Sequence, residues 1–131
     1  MDKHTIEKKR EAIIAEYNTK QRQAEERLDE LKMRKRDVEN CLEDIDGFRL
    51  STKHMLNQHQ SELLRHGAHE DLKMFYVVEE GLHHDCRNVA NGLLGEQDEI
   101  ERERKNVFRS LDDTEREYRH AMSVLKEEER V

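Results

Sequence analysis

Apolar residues recur along the first half of the chain at intervals that alternate between three and four. Most positions on this stripe are apolar, and a few polar residues interrupt it. The positions are Ile14, Tyr17, Gln21, Ala24, Leu28, Leu31, Lys35, Val38, Leu42, Ile45, Arg49, Thr52, Leu56, His59 and Leu63. This spacing places one apolar seam along an α-helix and is typical of an imperfect heptad repeat. Residues 12–66 are therefore predicted to form a long amphipathic helix.

A second stripe with the same spacing runs through the second half of the chain. Its positions are Ala90, Leu93, Gln97, Ile100, Arg104, Val107, Leu111, Thr114, Tyr118, Ala121 and Leu125. Charged residues fill the other faces, and pairs such as Glu101 with Lys105 have the four-residue spacing that weakly supports a helix. The second half is therefore predicted to be a helix of similar length.

The two stripes meet around Gly67. Glycine readily adopts the left-handed conformation that ends a helix, and Glu70 and Asp71 suit the positive start of the next one. The chain has no proline, so no strong breaker interrupts either helix. The sequence predicts an all-α fold, a long antiparallel two-helix hairpin resembling a coiled coil. The hairpin is expected to be a single domain over 1–131, with arm 1 at about 3–65, the turn at about 66–70 and arm 2 at about 71–129.

Three further glycines bear on whether the helices are continuous. With the turn near Gly67, Gly47 falls opposite residues around 88, close to Gly92. Two interpretations remain open. The hairpin has a thin or bent waist with breaks near Gly47 and Gly92/Gly95, or the helices continue and each glycine costs about 1 kcal/mol of helix stability.

Charge narrows the choice of partner. The net charge is −7, and residues 1–65 balance 14 basic with 14 acidic side chains, whereas residues 66–131 carry 10 basic and 17 acidic ones. An acidic chain is a poor ligand for nucleic acid, so we expect no nucleic-acid partner. The basic run Lys32–Arg36 is interpreted as a solvated helix face. The sequence has no stretch long and apolar enough to span a bilayer and no conventional secretory signal, which favours a cytoplasmic protein.

Candidate chemistry is weak throughout the sequence. His83, His84 and Cys86 cluster, but neighbouring side chains on a helix point in different directions, so no metal site is expected. Cys41 and Cys86 lie near the apolar stripes and at different levels of the hairpin, so no disulfide between them is expected within one chain. No phosphate-binding loop or nucleophile motif is present, and a two-helix hairpin offers no deep pocket. We therefore expect no enzymatic activity and no cofactor.

The most informative local feature is an unbroken apolar run just after the turn. Its residues are Met74, Phe75, Tyr76, Val77 and Val78, and Leu82 follows it. Five consecutive apolar residues cover most of a helix circumference, and one facing helix can cover only part of that. One interpretation is a short buried strand or tight local packing near the turn. The favoured one is that a second protein covers the outer face, so all six residues are candidate partner contacts.

The second half of the chain resembles a known family in its spaced charged and aromatic residues. These are Phe75, His83, Arg87, Glu99, Glu101, Glu103, Lys105, Asp112, Asp113, Glu115 and Tyr118. They are similar to those of the small α-helical accessory proteins associated with LXG toxins in Gram-positive type VII secretion. The resemblance implies a targeting protein or chaperone that binds the helical N-terminal LXG domain of a toxin, together with a second small helical accessory protein. It also implies a cytoplasmic protein that forms a secretion-competent complex and is co-secreted with its partner.

Two short patterns resemble the export motif of the companion accessory proteins. Phe108 and Asp112 fit a Phe-x-x-x-Asp pattern, and Tyr76 and Glu80 fit a Tyr-x-x-x-Glu pattern. The Trp-x-Gly turn of the small secreted hairpins is absent, because the chain has no tryptophan. Two alternatives remain: a coiled-coil stalk or adaptor of a type III or flagellar export ATPase, and a generic coiled-coil scaffold. Self-association is compatible with each of them.

Overall fold

The computed structural model describes residues 2–67 and 69–130. These residues form two α-helices, α1 over Lys3–Arg65 and α2 over His69–Arg130, and contain no strand. The predicted all-α helical hairpin is therefore confirmed. Helix α2 begins two residues earlier than the sequence analysis placed it.

The turn between the helices is short because Gly67 takes up the change of direction. Its φ is +67°, the left-handed conformation, and it is the C′ residue that follows α1. The Gly67 N–H donates to the carbonyl oxygen of Leu64 at 3.4 Å, and the His69 N–H donates to the Gly67 carbonyl at 3.1 Å. Glu70 and Asp71 lie in the first turn of α2, where the helix dipole favours negative charge.

The interior glycines do not interrupt the helices. Both helices continue through Gly47, Gly92 and Gly95, so the breaks anticipated there are absent. A Cβ atom added at any of these three positions would have no neighbouring heavy atom within 4 Å. No close approach of the backbones therefore requires glycine here, and the three residues are tolerated within continuous helices.

The chain divides into two compact units. We call Met1–Arg34 with Ile100–Val131 the terminal unit, and Lys35–Glu99 the turn unit. In the terminal unit the buried apolar residues are Ile6, Leu31, Ile100 and Leu125. Buried Thr114 donates its hydroxyl to the carbonyl of Ser110 at 2.8 Å, so its polar atom is satisfied within its own helix.

The turn unit has a thinner core. Its buried apolar residues are Val38, Leu72 and Phe75. Other apolar residues on the seam are half-buried, among them Leu42, Ile45, Leu56, Leu63, Leu82 and Leu93. Two helices alone make a single shared contact layer, which leaves the outer sides of each helix without a neighbour in the described part of the chain.

The seam of α1 departs in four places from the positions predicted from sequence. Half-buried Ile13, Arg34 and Gln60 take the places assigned to Ile14, Lys35 and His59, which are exposed, and Arg49 is exposed too. An α-helix has 3.6 residues per turn, so a strict alternation of three and four drifts off the facing side. An occasional extra four-residue step brings the seam back.

Candidate interaction surface

Exposed apolar side chains are concentrated in the turn unit. Among the described residues, ten of the fourteen large apolar side chains that are exposed belong to it. They are Phe48, Leu50, Met55, Leu64, Met74, Tyr76, Val77, Val78, Val89 and Leu94. The other four, Ile14, Met33, Phe108 and Val124, belong to the terminal unit. Exposed apolar residues at this density are typical of a contact with another molecule.

The run after the turn divides between the seam and the surface. Phe75 is 6% exposed and lies in the core of the turn unit, whereas Met74 and Val77 are 70% and 69% exposed. Tyr76 and Val78 are also exposed, and Leu82 is half-buried on the seam. Of the six candidate partner contacts, Phe75 and Leu82 therefore face α1, because with Leu72 and Glu79 they continue the three-four spacing. Met74, Tyr76, Val77 and Val78 are the exposed ones among them.

Aromatic contacts position the buried end of this run. The ring of Phe75 lies 6.1 Å from that of His59 on α1 and 5.8 Å from that of Tyr76, the latter in an edge-on arrangement. The side-chain amide of Gln60 donates to the Tyr76 hydroxyl at 2.9 Å. These contacts hold the first turns of α2 against the last turns of α1.

A groove runs along one flank of the turn unit. Its walls are Leu56, His59 and Leu63 from α1, and Asp71, Met74, Phe75 and Val78 from α2. Met74 and Val78 stand four residues apart and therefore share one side of α2. The groove is open to solvent, with a base of seam residues and a rim of exposed ones. The sequence analysis assigned Met74 and Val78 to a partner contact but placed His59 on the seam and gave the groove no role.

The opposite flank has a different chemistry. Gln60 and Tyr76 lie there, and so do Lys53 and His83, which line a small cleft with Arg49, Glu79 and Cys86. Phe48 reaches the same cleft. The Lys and Arg side chains of this cleft, Arg49 and Lys53, both come from α1.

The histidines and cysteines do not assemble a site in the described residues. Within residues 2–67 and 69–130, no three His, Cys, Asp or Glu side chains are grouped so that they could hold a metal ion. Nε2 of His84 lies 3.2 Å from the Asn88 amide nitrogen, and Nε2 of His54 lies 3.4 Å from that of Gln58. Cys41 is exposed and Cys86 half-buried, and both are free thiols.

Ion pairs between the helices characterise the terminal unit. Lys9 pairs with Glu128 at 3.4 Å, Arg10 with Glu129 at 3.0 Å and Lys20 with Glu117 at 3.2 Å, while Arg27 pairs with Glu103. The hydrogen bonds that Lys20 donates to Glu117 and then Glu16 raise the pKa of Lys20. The hydrogen bonds that Arg27 donates to Glu30 and Glu103 raise the pKa of Arg27. The rings of Tyr17 and Tyr118 stack at 4.4 Å.

The two export-like patterns both lie at the surface. Phe108 is exposed, with the Arg104 guanidinium 5.5 Å from its ring centre, and Asp112 follows one turn later on the same exposed face. Tyr76 and Glu80 are likewise exposed. Each pair is accessible to a recognising protein.

Comparison with known proteins gives the surface no precedent. No family model, no curated protein and no solved structure matches the chain. In the part of the chain that the structure describes, neither helix has a segment apolar enough to cross a membrane.

Proposed function

We propose that this chain is a non-enzymatic accessory protein that binds the helical N-terminal LXG domain of a secreted toxin. The complex, completed by a second small helical accessory protein, assembles in the cytoplasm and is competent for type VII secretion. The turn unit makes the contact with the toxin. The resemblance of Leu72–Met122 to the accessory proteins of LXG toxins supports the choice of partner.

One observation carries the proposal of a binding function. The turn unit exposes ten large apolar side chains and buries three, over residues 35–99. The transfer of apolar surface out of water is favourable by roughly 25 cal/mol per Å², so a surface of this kind is stabilised when a partner covers it. A partner helix laid along the hairpin would give the turn unit the third neighbour that two helices lack.

A non-catalytic role accords with the form of the surface. The grooves of both units lie open along the helix pair, and catalysis by carboxylates or histidines relies on sites from which water is excluded. Lys20 takes its higher pKa mainly from Glu117 of the facing helix, and Arg27 takes its higher pKa mainly from Glu30 in its own helix and then from Glu103 of the facing helix. These groups serve the pairing of the helices.

Affinity purification of the tagged chain from its native cell tests the proposal. We expect an LXG-domain toxin among the co-purifying chains. Met74→Glu should lower its recovery at least about tenfold, because a charge at the centre of an apolar contact is costly to desolvate. Met33→Glu is the matched control, since Met33 is 67% exposed in the terminal unit, and it should leave recovery unchanged.

Circular dichroism of both variants shows whether the fold is retained. Helical content equal to that of the wild type, with toxin lost only from Met74→Glu, supports the proposal. Recovery of an export ATPase in place of a toxin would assign the chain to the stalk proteins instead. Equal loss of toxin from both variants would place the contact outside the turn unit.

A further inference from the structure

We propose that the docking surface is one flank of the turn unit, and that its occupant is an amphipathic helix whose apolar stripe is bordered by Lys and Arg. We call this surface the acidic flank. The proposal deepens the proposed function, from which it takes only that the partner is a helical protein. It adds which side of the hairpin is used and which charges the partner helix carries.

The groove beside His59 identifies the side of the hairpin on which we place the partner helix. Met74 and Val78 of α2 meet His59 of α1 in that groove. Met55 lies one turn before His59, and Phe48 lies a further seven residues back, so the three share one side of α1. Met55 and Phe48 are exposed, and they extend the apolar stripe away from the turn.

Helix α2 extends the stripe in the same direction. Val89 lies eleven residues, about three turns, after Val78 and shares its side of the helix. Val89 is exposed. Gly81 and Gly92 lie on this side too, and around each of them the space that a Cβ would occupy is open. The stripe therefore combines apolar side chains with places where a docked helix can approach the backbone closely.

The charges around this stripe all have one sign. Asp71 and Asp85 lie seven residues to either side of Val78, and Glu62 lies seven residues after Met55. Asp44 lies one turn before Phe48. All four carboxylates are exposed, and none of them makes an ion pair with the described residues.

Basic residues are missing from this side of the turn unit as the structure describes it. The heptad columns that form the flank are residues 41, 48, 55 and 62 with 44, 51 and 58 on α1, and 71, 78, 85 and 92 with 74, 81, 88 and 95 on α2. None of these positions holds Lys or Arg; Arg65, which continues the column of 44, 51 and 58, lies at the last residue of α1, beyond them. Arg49 and Lys53 lie in the cleft toward the other side, which Phe48 also lines, so the basic residues begin where the stripe reaches Phe48. An apolar stripe with carboxylates alone at its borders is complementary to a helix with Lys and Arg at its borders.

The same charges disfavour a second copy of this chain as the occupant. In a symmetric dimer each copy presents the same surface to the other. Pairing the acidic flank with itself would bring Asp71, Asp85, Glu62 and Asp44 near their own kind with no basic partner. Like charges across an interface oppose association, so the occupant is a helix of another protein.

Two synthetic helical peptides test the charge rule without knowledge of the natural partner. They share three heptads with the same Leu and Ile seam, and their bordering e and g positions are all Lys in one and all Glu in the other. Fluorescence anisotropy with labelled peptide measures their affinity for the full chain. We expect the Lys peptide to bind at least about tenfold more tightly at low salt, with the difference shrinking as salt screens the charges.

Charge variants show whether the preference for the Lys peptide comes from the carboxylates of the acidic flank or from the overall negative charge of the protein. Asp71→Lys with Asp85→Lys should remove or reverse the preference for the Lys peptide. The control, Glu39→Lys with Glu43→Lys, makes the same change in net charge at exposed sites away from this flank. It should retain most of the preference.

Neutral variants test the apolar stripe in the same assay. Met55→Ser with Val78→Ser should weaken binding of the Lys peptide at least about tenfold, as expected where apolar contacts supply the affinity. Met33→Ser with Val124→Ser is the matched control, because these apolar side chains are also exposed but belong to the terminal unit. This control should bind as the wild type does.

Several results would overturn the inference. These are equal affinity for the two peptides, no binding of the Lys peptide up to about 100 µM, and equal effects of the flank variants and their controls. A chain that sediments as a dimer and becomes monomeric with Val78→Ser would show that a second copy occupies the flank. If the peptide results hold and no LXG toxin co-purifies, the surface stands and the proposed partner fails. If the toxin co-purifies with the Asp71→Lys/Asp85→Lys chain undiminished, the flank fails and the proposed function stands.

Discussion

At the scale of single residues, Gly67 is the position where backbone conformation matters most. Its φ of +67° is unfavourable for a residue with a Cβ, although a Cβ there would meet no neighbouring atom. Gly67→Ala should therefore lower the free energy of unfolding by about 1–2 kcal/mol through backbone strain alone. Urea denaturation followed by circular dichroism measures the change.

The control for this substitution is another glycine with open surroundings. Gly47 lies inside α1 with ordinary helical backbone, and an added Cβ there is also unobstructed. Gly47→Ala should raise the free energy of unfolding by up to about 1 kcal/mol, since alanine is the better helix former. Substitutions that both stabilise, or both destabilise, would contradict the role assigned to Gly67.

Leu31 provides the residue-scale test of the core. Its side chain is 1% exposed, the most buried large side chain among the described residues. Leu31→Ala should cost about 2–5 kcal/mol, because it removes buried apolar contacts and leaves a cavity. Leu50→Ala, at a position 70% exposed, should change stability by less than about 0.5 kcal/mol. Similar losses from both in chemical denaturation would mean that the seam has been misassigned.

At the scale of the helices, interhelical ion pairs contribute to matching one helix to the other. Lys9 and Glu128 pair across the terminal unit, and both side chains are part-exposed. Lys9→Glu and Glu128→Lys should each lower the free energy of unfolding by roughly 0.2–1 kcal/mol, since each places like charges together. The double variant should recover most of the loss. A double variant as unstable as the sum of the two single variants would show that the pair does not couple.

The heptad pattern was sufficient to predict the helices but not every inward-facing residue. The stripes and Gly67 led to the two helices and the helical hairpin that the structure has. The predicted stripe was wrong at Ile14, where Ile13 faces inward instead. A strict alternation of three- and four-residue steps does not show where the inward-facing side takes an additional four-residue step. In the run Met74–Val78 the number of consecutive apolar residues showed that some of them must face outward. The three-residue spacing of Phe75 from Leu72 was the signal that Phe75 faces the other helix.

The proposed interaction surface was harder to predict because it is formed by residues from both helices. Each helix alone shows scattered exposed apolar residues, which are common on protein surfaces. Their grouping depends on which side of α1 faces which side of α2, and the groove beside His59 supplies that information. The heptad columns through Met55 and Val78 were visible in the sequence, but their juxtaposition was not.

At the scale of the whole molecule, the two units differ in how much they bury. The terminal unit has more buried apolar residues, and it contains the four ion pairs between helices described above. The turn unit has more exposed large apolar side chains. Local opening is easiest where few apolar contacts are buried. In the free chain, backbone amides in the interior of residues 35–99 should therefore exchange with deuterium faster than those of the terminal unit, away from the chain ends.

A bound partner should change this pattern selectively. If a helix covers the acidic flank, exchange should slow most around residues 48–59 and 71–89, because each opening of the turn unit must then also break the new contacts. Hydrogen exchange with mass spectrometry, with and without a saturating amount of the Lys-bordered peptide, measures both effects. The Asp71→Lys/Asp85→Lys chain under the same conditions is the control and should show little protection. Protection by the peptide that is confined to the terminal unit would place the binding surface there. Uniform exchange in the free chain would mean that the thinner core of the turn unit does not determine how readily it opens.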